Sequence, residues 1–198
     1  MAINLQKGQK VSLTKENPGL SRIVVGLGWD EVKESRGLLG LFTSKGNDID
    51  CDASVFMLKN GKLCEEKDIV FFGNLKHKTG TVEHLGDNLT GAGSGDDEHI
   101  LVDLSKVPAE YDRIVFSVNI YDAVKRKQHF GMIQNAFIRL IDGRNNTEMC
   151  RYNLTDDYSG KTAMIFGEIY RHDGEWKFNA IGQGTNDVGI KNLSRRFV

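Results

Sequence analysis

The sequence is poor in cysteine and proline, and it has no long apolar run. Its 198 residues include only two prolines and three cysteines, Cys51, Cys64 and Cys150. Because the cysteines are odd in number and far apart, they fit neither a zinc site nor a disulfide framework. No segment approaches the roughly 18 apolar residues needed to span a bilayer, and the opening "MAINLQKGQKVSL" has no apolar signal-peptide core. These absences predict a cytoplasmic protein with reduced thiols.

Neither sign of charge dominates the sequence. Lys and Arg number 26, and Asp and Glu number 27, for a formal net charge of −1. A general nucleic-acid binder needs an excess of basic residues to neutralise phosphates, so this class is excluded. The hydrophobic content of 39% is enough for a packed core. Because no Pro-rich linker divides the chain, we expect one domain over residues 1–198.

Strand patterns dominate, and helical patterns are few and short. Runs rich in β-branched and aromatic residues recur between turn signals: "RIVVGLGW", "SVFML", "DIVFFGNL", "HILVDL", "RIVFSVNIY", "AFIRLID", "TAMIFGEIY" and "EWKFNAIGQG". Asn60-Gly61 and Asp173-Gly174 suit two-residue hairpin turns, and "LIDGRNNTEMCRYNL" predicts a longer hairpin. Single helical turns are expected near "VPAEY", "DAVKRKQHFGMIQ" and "DVGIKNLSRRF". The pattern predicts an all-β fold, an antiparallel β-sandwich.

Two segments concentrate carboxylates without any Lys or Arg. In "GNDIDCDAS" the acids Asp48, Asp50 and Asp52 alternate, so a strand there would place them on one face. The second segment, "GDNLTGAGSGDDEHI", is rich in glycine and carries four acids and an amide: Asp87, Asn88, Asp96, Asp97 and Glu98. Like charges this close repel each other unless a cation lies between them. The carboxylates are therefore either simply solvated or bind a metal ion.

The donor types in these segments favour Ca²⁺, which takes about six to eight oxygen ligands from carboxylates, amides and main-chain carbonyls. The loop is not an EF-hand, although Asp87 and Glu98 match the first and twelfth positions of that motif. Leu89 and Gly91 stand where oxygen-bearing side chains are required, and they could contribute only carbonyl oxygens. His99 follows the acids, and a structural role is favoured for it over a ligand role.

Motifs for catalysis are weak. "DCDAS" resembles the nucleophile motif of haloacid-dehalogenase-type phosphatases, but that motif needs a buried apolar strand before it and a βαβ alternation, which this sequence lacks. "GLGWDE" and "GQGTND" are incomplete glycine-rich nucleotide loops. Neither a G-x-S-x-G elbow nor an H-E-x-x-H spacing is present. The sequence therefore predicts a protein that is not an enzyme.

Five stretches carry a resemblance to a known family. They are "LQKGQKVSLTK", "VGLGWD", "DCDAS", "GDNLTGAGSGDDE" and "AMIFGEIYRHDGEWKFNAIGQG", and they span nearly the whole chain in collinear order. They resemble the TerD-domain family of bacterial tellurium-resistance and general stress proteins. The resemblance implies a β-sandwich with a few short helices, long acidic loops at one end that hold two Ca²⁺ ions, and no enzymatic activity. The matching ligand positions are Asp30, Asp50, Asp52, Asp87, Asn88, Asp96, Asp97 and Glu98, and the carbonyls of Leu89 and Gly91 complete the predicted set.

The sequence departs from the family pattern in two places. Leu89, Ala92 and Ser94 stand where the family loop often has Arg, Glu and Asp, so we expect one ion to be held less well. The stretch "VKESRGLLGLFTSKGN" is longer and more apolar than the usual connection. Its centre, Gly37–Phe42, either contacts a partner or a membrane or folds back onto the sandwich.

The resemblance implies a calcium-binding stress-response module that acts through protein partners, among them a membrane component of the tellurium-resistance system. An alternative is a Ca²⁺-dependent membrane-surface module that works as C2 domains do, with "GLLGLF" inserting into the lipid. A metal-dependent phosphohydrolase is a third and weaker hypothesis.

Overall fold

Twelve strands and three short α-helices form the part of the chain that the structure describes. The structure is a computed structural model, and it describes residues 2–31, 49–87 and 95–198. The strands are β1 (Ile3–Leu5), β2 (Lys10–Ser12), β3 (Arg22–Glu31), β4 (Cys51–Leu58), β5 (Ile69–Val70), β6 (Val82–Asp87), β7 (Glu98–Asp103), β8 (Arg113–Ile120), β9 (Ile133–Asp142), β10 (Thr147–Asn153), β11 (Ala163–His172) and β12 (Glu175–Thr185). The helices are α1 (Leu13–Glu16), α2 (Ala123–Arg126) and α3 (Ile190–Ser194), with 3-10 turns at Glu66–Asp68, Phe130–Met132 and Arg195–Phe197.

The strands form two six-stranded sheets. The first sheet has the order β1-β10-β9-β3-β7-β6, and the second has the order β2-β12-β11-β8-β4-β5. The predicted β-sandwich is confirmed. One pair departs from the antiparallel expectation, because β1 lies parallel to β10. These two strands are far apart in sequence, so no hairpin turn forces them to run antiparallel.

The core lies between the sheets and is built by the period of two along each strand. In β3, the side chains of Ile23, Val25 and Leu27 are fully buried. Val55 of β4 and Phe116 of β8 lie in the same apolar cluster from the second sheet. The residues that alternate with these side chains, Gly26 among them, lie on the outer faces.

The turn chemistry read from the sequence is confirmed. Asn60 and Gly61 have φ angles of 51° and 73°, and Asp173 and Gly174 have φ angles of 54° and 77°. Positive φ at both central residues is the backbone of the hairpin turn that such pairs favour. The expected turn near "VPAEY" is a single hydrogen-bonded turn, in which the amide of Tyr111 donates to the carbonyl of Pro108 at 3.0 Å.

The carboxyl-terminal segment, Ile190–Val198, covers the outer face of the second sheet. Leu193 is fully buried there, in a second apolar cluster with Phe56. The ring of Phe197 lies 4.9 Å from that of Phe56, and its carbonyl accepts from the amide of Leu63 at 2.6 Å. The predicted carboxyl-terminal helix is therefore a packing element. None of the helices in the described ranges is long and apolar enough to cross a bilayer.

The sandwich has two distinct ends. At the loop end, β3 and β6 finish and β4 and β7 begin; at the far end, β4 finishes and β8 begins. The sheets are joined at the loop end by the amide of Ala53, which donates to Oε1 of Glu98 at 3.3 Å. The described residues on either side of the internal gaps at 32–48 and 88–94 lie at the loop end.

Candidate metal site

Asp30 and Asp97 meet at the loop end of the first sheet. Pairing of β3 with β7 places Leu27 opposite Glu98, and the amide of Asp97 donates to the carbonyl of Leu27 at 2.8 Å. The amide of Trp29 then donates to Oδ2 of Asp97 at 2.7 Å. Asp30 directly follows Trp29, and its charge is near enough to help raise the pKa of Asp97. The structure therefore brings these two predicted site residues to the same end of the first sheet.

The electrostatics of Asp97 show that negative charge at this end is poorly compensated. Desolvation of the carboxyl raises the pKa of Asp97, and the charges of Asp30, Asp96 and Glu98 raise it further, against the hydrogen bond from Trp29. In the described part of the chain, no Lys or Arg lies within ion-pair distance of Asp30, Asp97 or Glu98. A raised pKa means that the ionised form is disfavoured here, which is a condition that a bound cation would relieve.

Glu98 carries its carboxylate into the space between the sheets. The residue is 4% exposed. Its Oε1 accepts from Ala53, as described, while Oε2 lies 2.8 Å from Nε2 of His84. That contact lacks the geometry of a hydrogen bond, so Oε2 has no hydrogen-bond partner among the residues that the structure describes. Glu98 thus presents a buried carboxylate oxygen with unused acceptor capacity.

Asp50 and Asp52 flank the start of β4 at the same end. Cys51, between them, is 9% exposed, so the alternation expected for a strand is present. Asp50 is exposed, and its Oδ2 lies 3.9 Å from Nη1 of Arg126. Asp52 is half-buried and lies opposite Asn119 of β8. The third acid of the alternating set, Asp48, lies outside the described residues.

Asp96 takes a different direction from its neighbours. Its carboxylate lies on the outer face of the first sheet, where it pairs with Arg139 of β9 and contacts His99. The structural role favoured for His99 is thus consistent with its position. Arg139 was not predicted, since no sequence pattern links it to Asp96, which lies 43 residues away in the chain.

Asn135 is a further contact that sequence reasoning missed. Its Nδ2 donates to Oδ2 of Asp30 at 2.8 Å, and its backbone has a φ of 55°. Asn is among the residues that most readily adopt this left-handed conformation. The residue type was therefore a weak signal of an unusual backbone, but it could not reveal the partner.

The remaining predicted ligands lie partly outside the described ranges. Asn88, Leu89 and Gly91 lie outside the described residues. Asp87 is the last residue of β6, and its backbone pairs with that of Glu98. Among the described residues, no group of three His, Cys, Asp or Glu side chains is arranged to hold a metal ion. A metal at the loop end would therefore also need oxygens from carbonyls or from residues 88–94.

The far end buries another carboxylate, but with partners. The Asp68 side chain is fully buried, and its Oδ1 accepts from Oη of Tyr111 at 2.7 Å and from Nζ of Lys78 at 2.9 Å. Nε2 of His77 lies 3.2 Å from the same oxygen. Burial by itself would raise the pKa of Asp68, but the hydrogen bonds from Lys78, Tyr111 and His77 outweigh it and lower the pKa.

The whole chain matches one family. The family model for the TerD domain matches residues 1–197, so the chain belongs to the TerD-domain family. It is 56% identical over 199 residues to the stress response protein SCP2 of Bacillus subtilis (strain 168), covering 100% of both chains. It is 49% identical over 185 residues to the tellurium resistance protein TerD of Serratia marcescens, covering 93% of this chain and 91% of that protein. The resemblance read from the five sequence stretches is confirmed.

A solved structure supports the fold. The crystal structure of a homologue of the telluride resistance protein (TerD) from Streptomyces coelicolor A3(2) matches with a TM-score of 0.59 and 21% identity, covering 85% of this chain and 92% of that chain. This likeness shows a shared sandwich and nothing about ligands.

Proposed function

We propose that this protein is a calcium-binding stress-response module that is not an enzyme and acts through protein partners. Two Ca²⁺ ions would bind at the loop end. The nearest ligands are Asp30, Asp97 and Glu98. Further oxygens come from Asp50, Asp52, Asp87, Asn88 and the carbonyls of Leu89 and Gly91.

One observation carries the proposal: three carboxylates lie near one another at the root of the acidic loop, and none has a Lys or Arg partner in the described ranges. They are those of Asp30, Asp97 and Glu98; desolvation raises the pKa of Asp97, and the charges of Asp30 and Glu98 raise it further. A fold that gathers like charges in this way loses stability unless a cation offsets them. The unused acceptor capacity of Glu98 Oε2 fits the same ligand.

The donor set favours Ca²⁺ over other ions. All the proposed ligands offer oxygen, and Cys51, whose thiol lies between Asp50 and Asp52 in the sequence, belongs to the apolar core. Hard oxygen ligands in a glycine-rich loop suit the variable coordination of Ca²⁺, whereas Mg²⁺ demands a tighter octahedral shell. A bound ion would neutralise the carboxylates and stabilise the folded state by mass action, by about 2.7 kcal/mol at a hundredfold excess over Kd.

The partners follow from the family rather than from a contact in this chain. Relatives are named as tellurium-resistance and stress-response proteins, and a membrane component of such a system is the partner that we propose. Ordering of the acidic loops by Ca²⁺ would present them to that partner. A screen of phosphorylated small molecules with Ca²⁺, Mg²⁺ and Mn²⁺ would test the non-catalytic part, since turnover of any of them would contradict it.

Calorimetric titration of the Ca²⁺-free protein tests the proposal. We expect heat with a stoichiometry near two, and a large loss of affinity in the variant Glu98→Gln. The matched control is Glu16→Gln/Glu66→Gln, which removes two exposed carboxylates at the far end and should titrate as the wild type does. Absence of heat in the wild type would overturn the proposal, and an equal response to Mg²⁺ would remove its selectivity for Ca²⁺.

A second candidate function is Ca²⁺-dependent binding to an anionic membrane surface. The apolar stretch first considered for insertion, Gly37–Phe42, lies outside the described residues. A different feature of the loop end favours this candidate, because Tyr121 and Val124 are 46% and 63% exposed. The exposed cations Lys125 and Lys127 lie beside them in the same turn. Apolar side chains flanked by lysines are typical of surfaces that lie on anionic lipid.

Co-sedimentation with phosphatidylserine vesicles, with and without Ca²⁺, tests this candidate. The variant Lys125→Glu/Lys127→Glu should lose binding. Lys62→Glu/Lys67→Glu makes the same charge change with exposed lysines at the far end and should keep it. If the wild type stays in the supernatant at every Ca²⁺ concentration, the membrane hypothesis is wrong and the protein-partner hypothesis is unaffected.

A further inference from the structure

Both oxygens of Asp96 are held by one arginine. Nε of Arg139 donates to Oδ1 at 2.7 Å, and Nη2 donates to Oδ2 at 3.0 Å. Nε2 of His99 lies 2.7 Å from Oδ2. The Asp96 side chain is fully buried beneath these partners. A bidentate pair of this kind compensates the charge of the carboxylate and fixes its orientation.

The residue of β3 that lies under the Asp96 carboxylate is Gly26, which has no side chain. A Cβ atom added to Gly26 would lie only 2.1 Å from Oδ2 of Asp96. The carboxylate therefore lies directly over the backbone of β3, in space that glycine leaves open. Asp96 is fitted into the sheet surface from one side by Gly26 and from the other by Arg139.

Arg139 is itself held in place. Its Nη1 donates to Oε2 of Glu148 at 3.1 Å, and Glu148 in turn accepts from Nε of Arg151 at 3.3 Å. The guanidinium of Arg151 lies 4.0 Å from the ring centre of Phe137. A chain of alternating charges thus runs from the root of the acidic loop across β9 to β10.

We infer that Asp96 is a positioning residue that anchors the carboxyl-terminal root of the acidic loop to the first sheet. It follows that Asp96 is not itself a ligand of the ion. The anchoring itself is argued from the contacts between Arg139 and Asp96. Its role in ion binding rests on the proposed calcium function. With Asp96 fixed, the next two residues, Asp97 and Glu98, have their direction set before any ion arrives. Such preorganisation lowers the ordering cost of binding.

The opposite hypothesis makes an opposite prediction. If Asp96 bound the ion directly, Arg139 would compete with Ca²⁺ for its carboxylate, and removing the guanidinium would tighten binding. If Asp96 is an anchor, removing the guanidinium loosens the loop root and weakens binding. The sign of the change in Arg139→Gln therefore separates the two roles.

The first measurement needs no calcium. Hydrogen exchange of the Ca²⁺-free full-length chain should be at least about tenfold faster at the amide of Asp97 in Arg139→Gln than in wild type. This amide donates to Leu27, so it reports directly on how the loop root is held. The control is Arg144→Gln, which removes the guanidinium that binds Asp142 at 2.7 Å near the far end of the same sheet. It should leave exchange at Asp97 unchanged.

The second measurement is calorimetry with Ca²⁺ alone. We expect Arg139→Gln and Asp96→Asn each to weaken binding by about tenfold, as is usual for residues that orient ligands. Their double variant should be no weaker than either single variant, because both changes break the same contact. The number of ions bound should stay the same in all three.

Each outcome has a separate meaning. Unchanged exchange at Asp97 overturns the anchor, whatever the protein does with calcium. Tighter binding in Arg139→Gln, or loss of an ion in Asp96→Asn alone, overturns it in favour of a ligand role. Faster exchange together with no calcium heat in the wild type supports the anchor and refutes the proposed function instead.

Discussion

At the far end of the sandwich, Asp68 is surrounded by donors, whereas at the loop end Asp97 is surrounded by other acids. The two carboxyl groups respond in opposite directions. The pKa of Asp68 is lowered, because hydrogen bonds from Lys78, Tyr111 and His77 outweigh burial. The pKa of Asp97 is raised, because partial desolvation and its acidic neighbours outweigh the hydrogen bond from the amide of Trp29.

The contrast distinguishes a structural carboxylate from one that is available to a ligand. An unused oxygen alone does not do so, because Oδ2 of Asp68 and Oε2 of Glu98 both lack a hydrogen bond in the described ranges. What differs is the compensation of charge: Lys78 lies 2.9 Å from Asp68, while Glu98 has only His84. Asp96 belongs to the acidic loop, but Arg139 compensates its charge. By this criterion it is a structural carboxylate, like Asp68.

The largest expected effect comes from an isosteric change at each end. Asp68→Asn should lower the free energy of unfolding by about 3 kcal/mol, because it removes the fully buried charge that Lys78, Tyr111 and His77 contact and leaves Lys78 with Glu65 as its remaining carboxylate partner. Glu98→Gln should stay within about 1 kcal/mol of wild type, since it disturbs one weak contact and removes a repelling charge. Urea unfolding in the presence of a Ca²⁺ chelator measures both values.

If Asp68→Asn and Glu98→Gln lose equal stability, the contrast between the two ends of the sandwich is wrong. Calcium titration provides the reverse control, since Asp68→Asn should bind the ion as the wild type does while Glu98→Gln should not. A calcium defect in Asp68→Asn would mean that the two ends are coupled through the sandwich.

The second prediction tests Asp96, the acid of the loop end that Arg139 compensates. Gly26→Ala should cost about 2 kcal/mol, as overpacking of a filled site does, because its Cβ would displace the Asp96 carboxylate from Arg139. In the double variant Gly26→Ala/Asp96→Ala the clash is gone, so the two costs should not add. Additive losses in thermal unfolding would show that Gly26 matters for some other contact.

Much of the fold was predictable from sequence. The eight segments read as strands all contain strand residues, and the Asn60-Gly61 and Asp173-Gly174 turns were correctly placed. The structure adds β1, β2 and β6, which the sequence analysis did not mark. The first two have only three residues each, and β6 includes polar residues such as His84, which is 4% exposed. Short strands and buried polar residues give no periodic apolar signal.

The site was predictable only in part. Asp97 and Glu98 stood out because they belong to an acidic segment without basic neighbours, whereas Asp30 was predicted only from the resemblance to the TerD-domain family. Asn135, which donates to Asp30, and Arg139, which pairs with Asp96, did not stand out, because they reach the loop end only through the register of β9 on β3. That register is set by core packing, which a single sequence does not reveal. The direction of Asp96 was likewise decided by Gly26 and Arg139 together.

The third prediction uses the pH response of the far end. Burial lowers the pKa of His77, against the opposing effect of Asp68, so the folded protein resists protonation of this ring. The unfolded chain takes up the proton below about pH 6.5, so stability is full above that pH and falls as the pH drops toward the folded pKa.

His77→Gln, which can still donate to Asp68, should flatten this part of the profile. His172→Gln, at an exposed histidine, should not. Melting temperatures between pH 7.5 and 5, measured with a chelator present, would reveal the difference. An unchanged slope in His77→Gln would contradict the assignment.

The smallest expected effect is a gain in stability at the loop end. Asp30→Asn/Asp97→Asn keeps an oxygen for the amides of Asn135 and Trp29 but removes two repelling charges. In the Ca²⁺-free protein this should raise the free energy of unfolding by about 0.5 kcal/mol, a modest gain because solvent screens exposed charges. With Ca²⁺ present the order should reverse, because the wild type gains stability from the ion and the variant does not. A crossing of the two stabilities between chelator and calcium would show that the fold tolerates these acids for a ligand. If the variant is less stable in both conditions, the acids at the loop end are structural, as Asp68 is at the far end.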